Sequence, residues 1–294
     1  MSVEQPPMAT NSGTQSSASA EYFARADRHA WDFFNLFVAP LKELIQYKEL
    51  IRNIVSRDLK VRYRRSVLGI LWTILAPLLS MTVMWAVFQY ALQVKIPNYP
   101  VYILSGIITW NLFVQSSAAG AASILNNAGL LTKIRLPRVI FPLSAVVNNL
   151  VNFGFAVVAF LLVVLVTRAP LHWEMLLLPV VLLPLVLFAA GWSMLVSSLC
   201  VFFRDLQYML DIGLQALFYL TPILYDPTSL PGKAAWIVQV NPMAKFIHLV
   251  RNALYSGEIP NLQTYAVAMG MGLVMFLIGW ISFQRSQRKF IYWL

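Results

Sequence analysis

Cys200 is the sole cysteine of this 294-residue chain, so no intrachain disulfide can form, and a lone thiol in an apolar run is ordinarily a packing residue. Histidine is almost as scarce: His29, His172 and His248 lie far apart, and none pairs with another at metal-ligand spacing. There is no G-x-x-x-x-G-K-[ST] phosphate loop, which excludes ATP hydrolysis by that route within the chain. Leu104-Ser105-Gly106 touches on an ATPase signature, but it falls inside an apolar run and has no such meaning there. Charge is the largest shortage, at 12% against 59% hydrophobic residues. That balance excludes an ordinary soluble domain and fits an all-α polytopic membrane protein.

A helix needs roughly 20 apolar residues to cross the ~30 Å hydrocarbon core. Six runs are candidates: Val67–Leu92, Val101–Ala121, Val139–Val166, Met175–Phe203, Met209–Leu224 and Thr264–Phe283. The fifth reaches only about 24 Å at ~1.5 Å per residue, so it is expected to begin earlier or to end in a non-helical stretch. Ala189, Ser193 and Ser197 recur at four-residue spacing in the fourth run, as do Ala268 and Gly272 in the sixth, a pattern that lets helices approach closely. Pro77, Pro179 and Pro184 are expected to kink their spans. Asp211 is the only ionisable side chain inside the runs. Ion-coupled transporters keep several buried acids or histidines as relays, so that class is disfavoured and Asp211 reads as an interface or packing residue.

Seventeen of the 22 Lys and Arg residues precede the first run or fall in alternate connections after it, and five fall in the others. This positive-inside bias predicts that both termini are cytoplasmic. The net charge of +10 then reads as orientation and contact with anionic lipid, not nucleic-acid binding.

Four regions follow: a tail over 1–30, an interfacial segment over 31–66, a membrane domain over 67–283 and a cytoplasmic tail over 284–294. The first 20 residues hold one charge, Glu4, and are rich in Ser, Thr, Ala and Gln. They are expected to be disordered, and they lack the basic start and short apolar core of a cleavable signal. From Leu41 to Lys60, residues Leu44, Tyr47, Ile51, Ile54 and Val55 share one helical face, which predicts an amphipathic helix in the headgroup layer. It runs into Arg57, Arg62, Arg64 and Arg65, the densest cationic cluster of the chain. Such a cluster is an ordinary topology signal held by anionic lipid. It also has the planar, bidentate chemistry that grips a pyrophosphate headgroup.

Between the second and third runs lies NNAGLLTKIRLPRVIFP, Asn126 to Pro142, a short basic segment placed to be a rigid docking element on the inner face. Its leucines, at 130, 131 and 136 with Leu125 just ahead, would be wasted on a loop facing only water.

At this point the motifs resemble a known family. RDLKVRYRRSVLGILWTILAPL from Arg57, YPVYILSGIITWNLF from Tyr99, SILNNAGLLTKIRLPRVIFPL from Ser123, FFRDLQYML from Phe202, LTPILY from Leu220 and NPMAKFIHLVRNALYSG from Asn241 occur in the order found in the permease subunits of polysaccharide ABC exporters. This is the type-2 exporter fold of O-antigen, capsular polysaccharide and teichoic acid export. Two departures stand out: the tail before Trp31 is longer than usual, and the ending QRKFIYWL lacks the acidic tail of many members.

The resemblance implies a bacterial cytoplasmic-membrane protein that forms a homodimer and pairs with two ATPase subunits, which hold the ATP and Mg, so that the chain itself carries no cofactor and is no enzyme. Arg57, Arg62, Arg64 and Arg65 would admit the carrier headgroup. Asn126, Asn127, Leu130, Leu131, Lys133, Arg135 and Arg138, with Arg204 and Asp205, would couple to the ATPase. Tyr63, Trp72, Phe218 and Tyr219 would line the path of a lipid-linked glycan. Two short helices, Ala234–Val240 and Met243–Tyr255, with Tyr225, Asn241, Pro242 and Arg251, would form an external gate. An ABC permease for small lipophilic molecules shares this architecture, although the arginine cluster favours an anionic lipid-linked cargo. A membrane glycosyl- or acyltransferase would rest on His172 and Glu174 alone, without a second acidic cluster on the same side.

Overall fold

The computed structural model describes residues 47–63, 66, 68–91, 93, 95–131, 136–229 and 232–293. These residues form helices and connecting turns with no strand among them. The expectations for the tail over 1–30, and for Arg64, Arg65, Lys133 and Arg135, lie outside the described residues.

The first helix, α1 (Lys48–Tyr63), buries Ile54 and Val55 and exposes Arg52, Asn53 and Lys60, so the described part of the predicted amphipathic segment does segregate by face. After a 3-10 turn, α2 (Trp72–Ala86) continues into a widened π turn, Val87–Ala91. The long helix α3 (Tyr99–Asn126) ends at Asn127, which is followed by the one-turn helix α4 (Ala128–Leu131). Next come α5 (Ile140–Thr167) and α6 (Leu178–Phe202), the latter preceded by a 3-10 turn over Trp173–Leu177, and α7 (Leu206–Leu220). Two short helices, α8 (Gly232–Val240) and α9 (Pro242–Arg251), precede α10 (Leu262–Ser286).

Among the described residues, four stretches are long and apolar enough to cross a membrane: Trp72–Tyr90, Ile140–Thr167, Trp173–Phe202 and Leu262–Ser286. Helix α3 has the length, but Asn111 and Gln115 dilute its hydropathy, together with the buried Ser105, Thr109, Ser116, Ser117 and Ser123. Three of these hydroxyls turn back on their own helix, Ser105 onto Tyr102 O at 2.8 Å, Thr109 onto Ser105 O at 2.7 Å and Ser123 onto Gly120 O at 2.7 Å. Helix α7 has 15 residues, about 22 Å, short of a full crossing. It begins earlier than the apolar run and ends in a non-helical bend at Thr221, as the shortage of length requires.

Helix α3 is the axis of the bundle, packed against α2, α5, α6, α7 and α9. Ile103, Leu104 and Ile108 of α3 meet a core that includes Phe160 of α5, Leu185 of α6 and Phe246 of α9. The most extensive pairing is α6 against α10. A Cβ on Gly191 would meet the Met275 carbonyl, one on Gly279 the Gly191 carbonyl and one on Gly272 the Pro184 carbonyl, so these glycines let two backbones touch. The small residues predicted for close approach divide between two interfaces. Gly272 serves the α6–α10 crossing, while Ser193 packs on Gly120 of α3 and Ser197 Oγ lies 3.0 Å from Ser123 Oγ. Cys200 is fully buried against Ala121 and Val196, a packing thiol.

Candidate functional site

At one end of the bundle, where α3 begins, the chain between α7 and α8 is folded into a bend that side chains tie down at the backbone. Tyr99 Oη donates to Leu224 O at 2.5 Å, and Tyr102 Oη donates to Tyr225 O at 2.9 Å. Arg251, from the last turn of α9, donates through Nη1 to Pro222 O and Tyr102 Oη, both at 2.9 Å, and through Nη2 to Ile223 O at 3.2 Å. Its guanidinium carbon also lies 3.7 Å from the centre of the Tyr102 ring, within cation–π range. Four successive carbonyls, from 222 to 225, are therefore held by three side chains.

The local sequence builds this cluster. Tyr99 and Tyr102 are three apart on the first turn of α3 and point the same way, with ring centres 6.1 Å apart. Asn241 caps α9 by accepting from Met243 N at 2.9 Å, and its amide donates to Thr221 Oγ1 at 2.8 Å, which fastens the start of the bend to the start of the helix. Pro242 sits in the first turn of α9, where a missing N–H costs nothing. Gly106 leaves room for the arginine, since a Cβ there would stand 2.9 Å from Arg251 Nη2. Burial presses the Arg251 pKa below the ordinary arginine value, and the neighbouring Tyr102, Asp226 and Tyr255 offset part of that. The four residues expected at the external gate are thus brought together, Tyr225 through its carbonyl. Tyr99 and Tyr102 belong to the same cluster. The sequence signal for them is the tyrosine pair at i, i+3 opening an apolar run, which marks an interface belt as readily as a hydrogen-bonding site.

Along the middle of the bundle, α2 is flanked by two clefts that share Asn111. One, of about 360 Å³, lies among α2, α3 and α7 and is lined by Trp110, Asp211, Gln215, Phe218 and Tyr219. The other, of about 370 Å³, lies among α2, α3 and α5 and includes Trp72, Gln115, Asn149 and Asn152. The aromatics expected along a glycan path therefore divide: Phe218 and Tyr219 line the first cleft, Trp72 the second, and the Tyr63 side chain lies outside the described residues. Trp110 meets Phe218 edge-on at 5.8 Å, so the first cleft has an aromatic wall beside its acid and amides.

At the opposite end, Asn127 closes α3 by donating to Ser123 O at 2.8 Å and accepts from Arg57 Nη2 at 3.3 Å. Arg57 also pairs with Asp58 at 2.9 Å. A cavity of about 540 Å³ lies beside these residues, lined by Arg57, Asp58, Asn126, Asn127, Ser144 and Asn148 among others. Leu131 is buried and Leu130 half-buried, so α4 is seated on the bundle rather than projecting from it. Arg138 donates to the Gln287 carbonyl, which joins the start of α5 to the end of α10. Arg204 and Asp205, in the turn between α6 and α7, are exposed. Of the arginines expected at a carrier headgroup, only Arg57 has a described side chain, and it faces Asp58 and Asn127. His172 packs its ring where a Cβ of Gly257 would stand, and Glu174 is buried.

Residues 49–255 match the family described as ABC-2 type transporter. Over 245 residues the chain is 33% identical to the O-antigen export system permease protein RfbA of Klebsiella pneumoniae, covering 82% of this chain and 93% of that protein. With the O-antigen export system permease protein RfbA of Myxococcus xanthus the identity is 31%, over 85% of this chain and 97% of that protein. With the polysialic acid transport protein KpsM of Escherichia coli it is 26%, over 72% and 83%.

Proposed function

We propose, from the premise that this chain belongs to the ABC-2 type transporter family, that it is the permease through which an ATP-driven exporter moves a lipid-linked polysaccharide of the O-antigen or capsular type across the bacterial cytoplasmic membrane. The observation that carries this reading is the nearly full-length correspondence with permeases of O-antigen export, 93% and 97% of whose lengths are matched. The relatives are transport subunits, which favours transport over the transferase alternative. Their names are all of polysaccharide systems, which favours a glycan over a small lipophilic molecule.

The working parts are arranged along one rod. Helix α3 has 28 residues, about 42 Å, enough to cross a bilayer without interruption. Its foot carries Asn127 and the α4 turn, the element offered to an ATPase. Its head carries Tyr99 and Tyr102, which hold the 222–225 bend. A push at α4 is transmitted along α3 to the bend, so ATPase closure at one face and opening at the other are coupled through a single helix. In this reading the chain has six spans with both termini cytoplasmic, and α8 and α9 with the bend form the outer gate. Two ATPase subunits supply ATP hydrolysis. Purification of the chain from its native membranes should recover an ATPase with a phosphate loop in roughly equal amount, and deletion of the chain should abolish surface polysaccharide. Recovery of the chain alone, with polysaccharide export intact after deletion, would overturn the reading.

A homodimer is supported by the exposed face of α7. Tyr208, Met209 and Ile212 stand out from the bundle, and Asp211 and Gln215 are exposed between them, side chains that lipid solvates poorly. A second copy, or a water-filled path between copies, meets that need. In a Cys200→Ser background, Ile212→Cys is expected to give a disulfide dimer in membranes. Leu165→Cys, 72% exposed on α5, is expected to remain monomeric. The reverse pattern would move the dimer face to α5.

A further inference from the structure

On the α5 side of α2, the 370 Å³ cleft has no charged side chain among its described lining residues. Its polar wall is made of neutral groups, Thr73, Asn111, Gln115, Asn149 and Asn152, and the half-exposed Trp72 indole stands beside them. Amides inside a bilayer ordinarily join helices by bonding across an interface. Here the bonds stay within α5: Asn149 Nδ2 donates to Ala145 O at 2.9 Å, and Asn152 Nδ2 donates to Asn149 Oδ1 at 3.2 Å. Asn152 Oδ1 has no partner although the residue is only 8% exposed. One turn nearer the basic end, Asn148 Oδ1 is likewise without a partner, against the cavity that Arg57 lines. Buried acceptors left open in this way carry a desolvation cost that a ligand relieves.

We propose that this cleft is a subsite for a neutral sugar ring presented from the membrane on a lipid, a deeper reading that rests on the export function above. The chemistry selects the ligand. A phosphate would find no cation among the described lining residues, and an acyl chain would leave the amides dry. A hydroxylated ring offers O–H donors to the open Asn152 oxygen and acceptors to the amides of Asn111 and Gln115, while its C–H face covers the indole. A cavity of this size lies within the range of small-ligand sites, roughly 300–1,000 Å³.

The test uses the full chain in phosphatidylethanolamine nanodiscs and a diazirine-bearing octyl β-glucoside as probe. Photolabel is expected in the segments 72–77 and 149–156, and excess octyl β-glucoside should displace it while a phosphocholine detergent of the same chain length should not. Asn152→Leu and, separately, Trp72→Leu should each lower labelling about fivefold, the effect of roughly one net contact. Trp72 is half-exposed, so its replacement leaves the packing intact and keeps the test informative should Asn152→Leu fold poorly. Displacement also by methyl β-glucoside would show that the ring alone suffices, and displacement only by the octyl form would show that the ring is read from the bilayer. Equal displacement by phosphocholine, or unchanged labelling in both variants, would overturn the subsite. Either of those results, with polysaccharide export still dependent on the chain, removes the subsite and leaves the export function standing; an ATPase-free preparation with no export defect on deletion removes the function itself.

Discussion

Gly279→Leu is expected to abolish recovery of folded permease, and Gly279→Ala to lower its thermal midpoint sharply in detergent. The reason is the nature of the neighbour. A Cβ at Gly279 would fall on the Gly191 carbonyl, and one at Gly191 would fall on the Met275 carbonyl, so each glycine faces backbone of the opposite helix. An over-filled core ordinarily costs about 1–3 kcal/mol because side chains give way. Backbone within a helix cannot rotate aside, so α6 and α10 must separate, and their pairing is the most extensive in the bundle. Association in a membrane rests on such van der Waals fit, with no hydrophobic drive to replace it. We therefore expect the alanine variant at the upper end of that range or about 1 kcal/mol beyond it. Gly270 of the same helix meets nothing within 4 Å, and Gly270→Ala should be neutral or slightly stabilising through helix propensity. Equal behaviour of Gly279→Ala and Gly270→Ala in thermal size-exclusion assays would show that the crossing is looser than its geometry.

Arg251→Lys should cut polysaccharide export about tenfold or more, the effect of roughly 1.4 kcal/mol, while assembly and ATP hydrolysis persist. The guanidinium reaches Tyr102 Oη, Pro222 O and Ile223 O from one planar group. A lysine ammonium is a single point with different reach and cannot serve both carbonyls and the tyrosine in that geometry. At least one carbonyl of the bend is then left buried without a donor, a loss of about 1–3 kcal/mol. Tyr102→Phe should move in the same direction, since it removes the donor to Tyr225 O and the acceptor for Arg251 together. Gly106→Ala acts on the cluster from beneath, by pressing on Arg251 Nη2. Wild-type export in Arg251→Lys and Tyr102→Phe together would leave the bend as a static cap with no part in the cycle.

Much of this arrangement is legible from hydropathy and spacing. The apolar runs locate the long helices because a helix in lipid must satisfy its own backbone and present apolar side chains. The shortage in the fifth run calls for an earlier start or a non-helical end, and α7 has both, with its start at Leu206 and the bend after Leu220. Pro and Asn-Pro breakers mark the two short helices that follow, although their ends differ by a few residues from the runs that announce them. Segregation of Ile54 and Val55 from Arg52 and Lys60 marks α1. Among the described residues, four stretches meet the length and hydropathy needed to cross, and α3 and α7 do not, the one because amides and hydroxyls interrupt its apolar run and the other because it is short.

Other features are not legible in the sequence at the level of contacts. The motif resemblance places Arg251 at the external gate, where by charge it counts as one cation in an external connection, yet its burial at the centre of a hydrogen-bonded cluster is seen only in the structure. Small residues at four-residue spacing indicated close approach, but Ser193 and Ser197 face α3 and α5 while Gly191 and Gly279 make the crossing with α10. That the amides of α5 keep their bonds within the helix is visible only in the structure. Hydropathy and periodicity express what each residue prefers as its surroundings, and those preferences determined the class, the spans and the polar faces of this protein. Which carbonyl receives an arginine, where two backbones touch and which acceptor is left open depend on pairs of groups distant in the chain, and only the tertiary structure decided them.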